Sequence, residues 1–178
     1  MSLKLKYYND PILRKQCAPV ETITQEVREL AQHLISSVLE YDGAGLAAPQ
    51  VGYSVRMFVI RYSHEVDSEG WPKLCPPTLY INPTISVLGK EKEVQTEGCL
   101  SIPNLTAQVE RPTAISVEAM DLNGALFSEE ARGWRARVIL HENDHLNGTL
   151  FIDRIDAAQK KKVKRSLEAI HRKFHEKK

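Results

Sequence analysis

Cysteine is scarce in this 178-residue chain: Cys17, Cys75 and Cys99 form an odd, widely spaced set. A disulfide framework needs pairs and an oxidising compartment, so this usage points to a cytoplasmic protein. Long apolar runs are missing too. None approaches the roughly 18 residues of a membrane span, and no membrane association is expected. The opening stretch MSLKLKYYNDP lacks the apolar core of a secretory signal. Internal repeats and low-complexity linkers are absent, and the length fits a single domain over residues 1–178, large enough to bury a core without staples.

Net charge is also close to nothing, at +1, but its distribution is uneven. Residues 156–178 carry nine Lys/Arg against three Asp/Glu, leaving the rest of the chain acidic. A basic tail on an acidic body suggests a polyanionic partner for the tail, or simply a solvated face whose apolar side packs on the domain.

Apolar periodicity predicts a helix over about 24–41, with Val27, Leu30, Ala31, Leu34, Val38 and Leu39 recurring at helical spacing and Asp42-Gly43 ending it. GAGLAAPQVG, residues 43–52, fits no regular period and reads as a shaped loop. RMFVIRYS (56–63) reads as a strand and residues 63–77 as a polar excursion. LYINPTISVLG and EKEVQ predict two strands joined through Gly89-Lys90. TAISVEAMDLNG and ALFSEE predict a hairpin about Asn123-Gly124. A second helix is expected over about 132–146, capped near Gly148, and a third, basic one over 156–178 with Val163, Leu167, Ile170 and Phe174 as its apolar stripe. The order implies an α+β fold: antiparallel β-sheets packed around a central helix, with an N-terminal and a C-terminal helix beside them.

That central helix contains HENDH. His141 and His145, four residues apart, share one face, which continues the stripe of Trp134 and Val138. Two imidazoles on an apolar face are costly to bury unless something binds them, and zinc or ferrous iron suits such ligands. Glu142 lies about 100° around the helix from His141, the place of a general base rather than a ligand. A catalytic metal takes three protein ligands and keeps one position open. A third histidine at 151 would mark one protease class, but Phe151 stands there. Glu168, at the spacing of another class, sits among lysines and arginines. The remaining candidate is Cys99 of TEGCLSIPN, just after Gly98. An internal metallopeptidase using Glu168 and a non-catalytic binding module stay open as alternatives at this point.

Three separated motifs, GAGLAAPQ at 43–50, EGCLS at 97–101 and HENDHLNG at 141–148, resemble in order and spacing those of the peptide deformylase family. The resemblance extends from YNDPILRK to LFIDRI. It implies a hydrolase that removes formyl from the N-terminal formyl-methionine of new polypeptides and releases formate. By the same resemblance Cys99, His141 and His145 bind one divalent metal, Fe2+ natively, with Ni2+, Co2+ or Zn2+ as substitutes. Glu142 becomes the acid/base, while Gln50 and the Leu100 backbone N–H face the oxyanion. Gly43, Ala44, Gly45 and Glu97 are expected to contact the peptide. The small residues of 43–48 would exclude an acetyl methyl group by contact, although a tight loop needs small residues merely to fold. Related proteins with such a tail imply the ribosome as partner of the basic helix. Two positions depart from the family's habit: Leu140 stands where glutamine is common, and Thr106 where arginine is common.

Overall fold

The computed structural model describes residues 3–175. Three helices and seven strands follow one another as α1 (Gln25–Glu40), β1 (Gly45–Ala47), β2 (Met57–Val66), β3 (Pro72–Val87), β4 (Lys92–Cys99), β5 (Ile102–Pro112), β6 (Ala114–Met120), β7 (Leu126–Arg132), α2 (Gly133–Leu146) and α3 (Ala157–His175). All strand pairs are antiparallel. They form a five-stranded sheet, β1-β2-β3-β6-β7, and a separate β4-β5 hairpin. The expected α+β fold is the observed one.

The apolar run MFVI explains the layering. A strand with one wet face alternates, whereas one covered on both sides can be apolar throughout. Phe58 and Ile60 pack with Tyr80 and with Ala136 and Ile139 of α2. Met57 and Val59 point the other way, into a core with Leu30, Leu34 and Val38 of α1. A third core joins Ile102, Leu105 and Val109 of β5 to Phe151 and to Ile170 of α3. α2 thus stands between the large sheet and the β4-β5 hairpin, and the two sheets reach one another through it.

Several details differ from the sequence expectations. Residues 63–77 are mostly strand: β2 and β3 run beyond the sheet as a long arm, closed by a turn in which Asp67 accepts from the backbone of Glu69 and Trp71. Both faces of the arm are wet, so no apolar alternation marked it. The strands flanking Gly89-Lys90 do not pair with each other; β3 stays in the large sheet and β4 pairs with β5. The 43–52 segment holds β1 and a short 3-10 turn, Ala48–Val51. The β6-β7 hairpin about Asn123-Gly124 is as expected, pinned by Asp121 accepting from Asn123 and Ala125 N–H. Thr24 caps α1 by accepting from Val27 N–H. Gly148 follows α2 with φ 67°, a conformation that favours glycine. The last residues of the expected third helix, 176–178, lie outside the described residues. No helix among the described residues is long and apolar enough to cross a membrane.

Candidate metal centre

α2 carries His141, Glu142 and His145 to the place where β4 ends in Cys99. The three ligand atoms of Cys99, His141 and His145 all lie within 4.8 Å of one another. Cys99 Sγ is 3.3 Å from His145 Nε2, and the two imidazole rings meet edge to face, 5.1 Å between centroids. One sulfur and two ring nitrogens are a donor set for zinc, iron or cobalt rather than for magnesium or calcium. Glu168, the rival third ligand, stands on α3 beside a different cavity. Phe151 is buried and stacks at 6.3 Å on the His141 ring.

Glu142 is 3% exposed, and its Oε2 is a buried polar atom with no hydrogen-bond partner among the described residues. Burial pushes its carboxyl up to about 7. An orphaned carboxylate oxygen beside a set of metal ligands has room for one donor, such as a water, and fits a metal-water centre. Burial disfavours protonation of His141, but contacts with Cys99 and Glu97 outweigh it and hold the pKa well above the ordinary histidine value. Burial and the neighbouring His141 press His145 the other way.

Gln50 closes the 43–50 motif and is buried. Its Oε1 accepts the Ala47 N–H at 2.8 Å, and an N–H can only donate. The amide nitrogen must therefore face the cluster, and it lies 3.4 Å from Cys99 Sγ and 3.3 Å from Ser101 Oγ. Gly43, Ala44, Gly45, Gln50, Leu100 and Glu142 all line one cavity of about 510 Å³. Along α2 its floor is made by Trp134, Arg137, Val138, His141 and Glu142, spacings that trace a single helical face.

Glu97 borders the same cavity, but both its oxygens are already engaged. Oε1 accepts from Arg111 Nε and Arg137 Nη1, each at 2.8 Å. Oε2 accepts from Arg111 Nη2 at 2.9 Å and faces His141 Nδ1 at 3.1 Å. Glu97, expected to contact the peptide, lies at the cavity wall with its carboxylate oxygens turned to Arg111, Arg137 and the His141 ring. Burial disfavours its charge, yet Arg111 and His141 hold the carboxyl well below the usual range. Arg111 Nη1 continues the network to Asp144 at 2.6 Å, and Arg154 grips the same carboxylate.

No role was read in the sequence for Arg111, Arg137, Asp144, Arg154 or Ser101, although Ser101 and Asp144 lie inside the 97–101 and 141–148 motifs. Asp144 and Arg137 carried a faint signal, since both sit on the helix of the histidines. Arg111 and Arg154 carried none. The two departures from the family's habit each stand one step from a candidate ligand without being one: Leu140, before His141, packs against the α2-sheet core, and Thr106 is exposed, facing Gly98, which precedes Cys99, from the neighbouring strand.

Comparison with known proteins agrees with this geometry. A peptide deformylase of Thermotoga maritima is 38% identical over 169 residues, 95% of this chain and 96% of that protein. One from Rhizobium meliloti is 43% identical over 86% of this chain and 85% of its own. Among solved structures, a plant peptide deformylase superposes with a TM-score of 0.87 at 33% identity, covering 98% of this chain and 91% of that one. A peptide deformylase of Acinetobacter baumannii with bound Met-Ala-Ser gives 0.80 at 31% identity over 87% and 99%. The model of the polypeptide deformylase family matches residues 2–161. A protein that shares that much sequence, and folds the same way, is an enzyme of N-terminal processing: the chain belongs to the polypeptide deformylase family.

Proposed function

We propose that the enzyme hydrolyses the formyl amide of N-formylmethionyl peptides, using one divalent cation held by Cys99, His141 and His145. The observation that carries this reading is the buried, partnerless Glu142 oxygen beside those three donors. When bound, such a cation brings water from a pKa of about 15.7 towards 7 and so supplies hydroxide at neutral pH. The donor set suits Fe2+, with Ni2+, Co2+ or Zn2+ as substitutes.

The side chains then divide the work. Glu142, held near pKa 7, is poised both to take a proton from water and to return it to the leaving amine nitrogen. The Gln50 amide, fixed in orientation by Ala47 N–H, donates to the oxyanion that develops on the formyl oxygen as the formyl carbon is attacked; the Leu100 N–H, next to Cys99, is a second donor. One such donor is typically worth about 3 kcal/mol. Glu97 fixes the ring of His141 through Nδ1, which leaves Nε2 for the cation. β1 is an edge of its sheet and Gly43, Ala44 and Gly45 line the cavity, so an extended peptide can add beside it. The methionine side chain runs along the α2 floor over Val138 towards Trp134. The bound Met-Ala-Ser of the Acinetobacter relative supports an unformylated product of this kind. We place the enzyme in the cytoplasm. The exposed lysines and arginines of α3 we assign to ribosomal RNA, near emerging chains.

Anaerobic purification with metal analysis, followed by formate release from formyl-Met-Ala-Ser and acetate release from acetyl-Met-Ala-Ser, tests the reaction. Turnover of the formyl peptide alone is expected. No formate, or comparable rates on both, overturns it. In the cobalt form, sulfur-to-metal charge-transfer absorption that disappears in Cys99→Ser is expected, whereas a metallopeptidase using Glu168 would show none.

A further inference from the structure

The long arm made by β2 and β3 has no part in the chemistry above, yet its turn ends in Trp71, 59% exposed. Exposure alone does not set it apart, since Leu74 and Val66 of the same arm are about as wet; what does is that its ring lies on a side chain that lines the cavity. Trp71 is not loose. Its N–H donates to Asp67 Oδ1 at 2.9 Å, and its carbonyl accepts from Asp67 N–H at 2.8 Å. The base of the arm is tied to α2 by Arg135, which donates to the Tyr62 carbonyl. In this position Trp71 stacks on Trp134, 6.2 Å between ring centroids and 30° between planes. Trp134 in turn forms the far end of the active-site floor, with the Arg137 guanidinium 6.0 Å from its ring.

We infer that Trp71 is a specificity residue, a platform at the lip of the cavity for the side chain of the third residue of the formylated peptide. In an extended chain the first and third side chains lie on the same side, about 6.8 Å apart. That spacing matches the 6.2 Å between the two rings. With the methionine directed at Trp134, the third side chain falls on Trp71. The open face of an indole selects an apolar or aromatic side chain there and offers nothing to a carboxylate. This assignment rests on the deformylase reading.

The test compares the full-length holoenzyme with Trp71→Ala and Trp71→Phe on formyl-Met-Ala-Phe, formyl-Met-Ala-Ala and the dipeptide formyl-Met-Ala. The parent should prefer Phe over Ala at the third residue about tenfold in kcat/KM, expressed in KM. Trp71→Ala should reduce that preference to within twofold, Trp71→Phe should keep part of it, and all three should process the dipeptide equally. A preference that survives Trp71→Ala, or a parent without one, overturns the inference. So does a change confined to formyl-Met-Phe-Ala, which would assign the ring to the second residue. Tryptophan fluorescence during titration with unformylated Met-Ala-Phe and Met-Ala-Ala reads the same contact without turnover. Selective binding of the former, lost in Trp71→Ala, would uphold the platform even if no formyl peptide were hydrolysed; equal binding of both by the parent would overturn it.

Discussion

Gly45 and Glu142 are in such close approach that a methyl group cannot pass between them: a Cβ on residue 45 would lie 2.6 Å from Glu142 Oε1 and 2.8 Å from its Cγ. The backbone of Gly45 does not need glycine for its own conformation; the carboxylate needs the space. Gly45→Ala should therefore fold and retain its metal while pushing Glu142 out of line. A misplacement of about 1 Å can cost about a hundredfold in rate, and a fall of that size in formate release is expected. Metal analysis alongside the kinetics separates this from loss of the centre, and a variant with more than a tenth of parental activity would contradict it.

Burial of Glu142 also makes a prediction about stability. Its folded pKa, about 7, lies above the ordinary 4.5. The folded protein therefore keeps a proton that the unfolded chain loses, and stability declines as pH rises from about 4.5 to about 7, then stays lower. For chelated protein the full penalty is about 3 kcal/mol. Glu142→Gln removes it, so that variant should be more stable than the parent by roughly that amount in urea at pH 8. The difference should shrink below pH 5.5. A constant difference across this range would show that the carboxyl does not titrate as its burial demands.

Glu97 makes the opposite case. Its carboxyl is held well below the ordinary range by Arg111 and His141. Its contribution is present above the unfolded value near 4.5 and is lost as pH falls through the folded one. Removing one partner from a buried ionic cluster costs about 3–5 kcal/mol, because the remaining charges stay desolvated. Glu97→Gln should lose about that much stability at pH 7 and, by freeing the His141 ring, bind metal about 10–100-fold more weakly in chelator competition. Unchanged metal affinity would remove Glu97 from its proposed orienting role.

The helices were legible in the sequence because each buries one stripe: Leu30, Leu34 and Val38 recur at helical spacing, as do Val138, His141 and His145. The Asn123-Gly124 hairpin carries its own turn chemistry. β5 was harder. Leu105, Ala107 and Val109 do alternate inward, but Pro103 and Asn104 break the start of the strand, and Asn104 adopts φ 60°. The candidate metal cluster was readable because metal chemistry demands particular residue types at particular spacings. Its support was not. Glu97 meets Arg111 across 14 residues of sequence and Arg111 meets Asp144 across 33, distances no local period spans, and Arg111 alone reads as a surface charge.

α3 answers the choice between a packed helix and a free binding element by being packed on one side only. Val163, Leu167 and Phe174 join the third core, Ile170 is buried there, and Phe174 stacks on Tyr7 at 3.7 Å. The Gln159 side-chain amide accepts from Gln108 N–H through its oxygen and donates to the Gln108 carbonyl through its nitrogen, covering the outer edge of β5. Lys160, Lys161, Lys162, Lys164 and Arg165 remain exposed or nearly so. A rigid cationic face of this kind suits a phosphate backbone, and the affinity it gives must be strongly salt-dependent, with a slope of about −0.7 to −0.9 per neutralised phosphate in log affinity against log salt. Co-sedimentation with ribosomes should therefore weaken steeply between low and physiological salt. Charge reversal of Lys160, Lys161 and Lys164 together should reduce both the binding and the slope, while formate release from free tripeptide stays unchanged because these side chains lie away from the cavity. Binding that ignores salt, or that survives the triple reversal, would mean the ribosome is held by some other surface and that this face is solvated only.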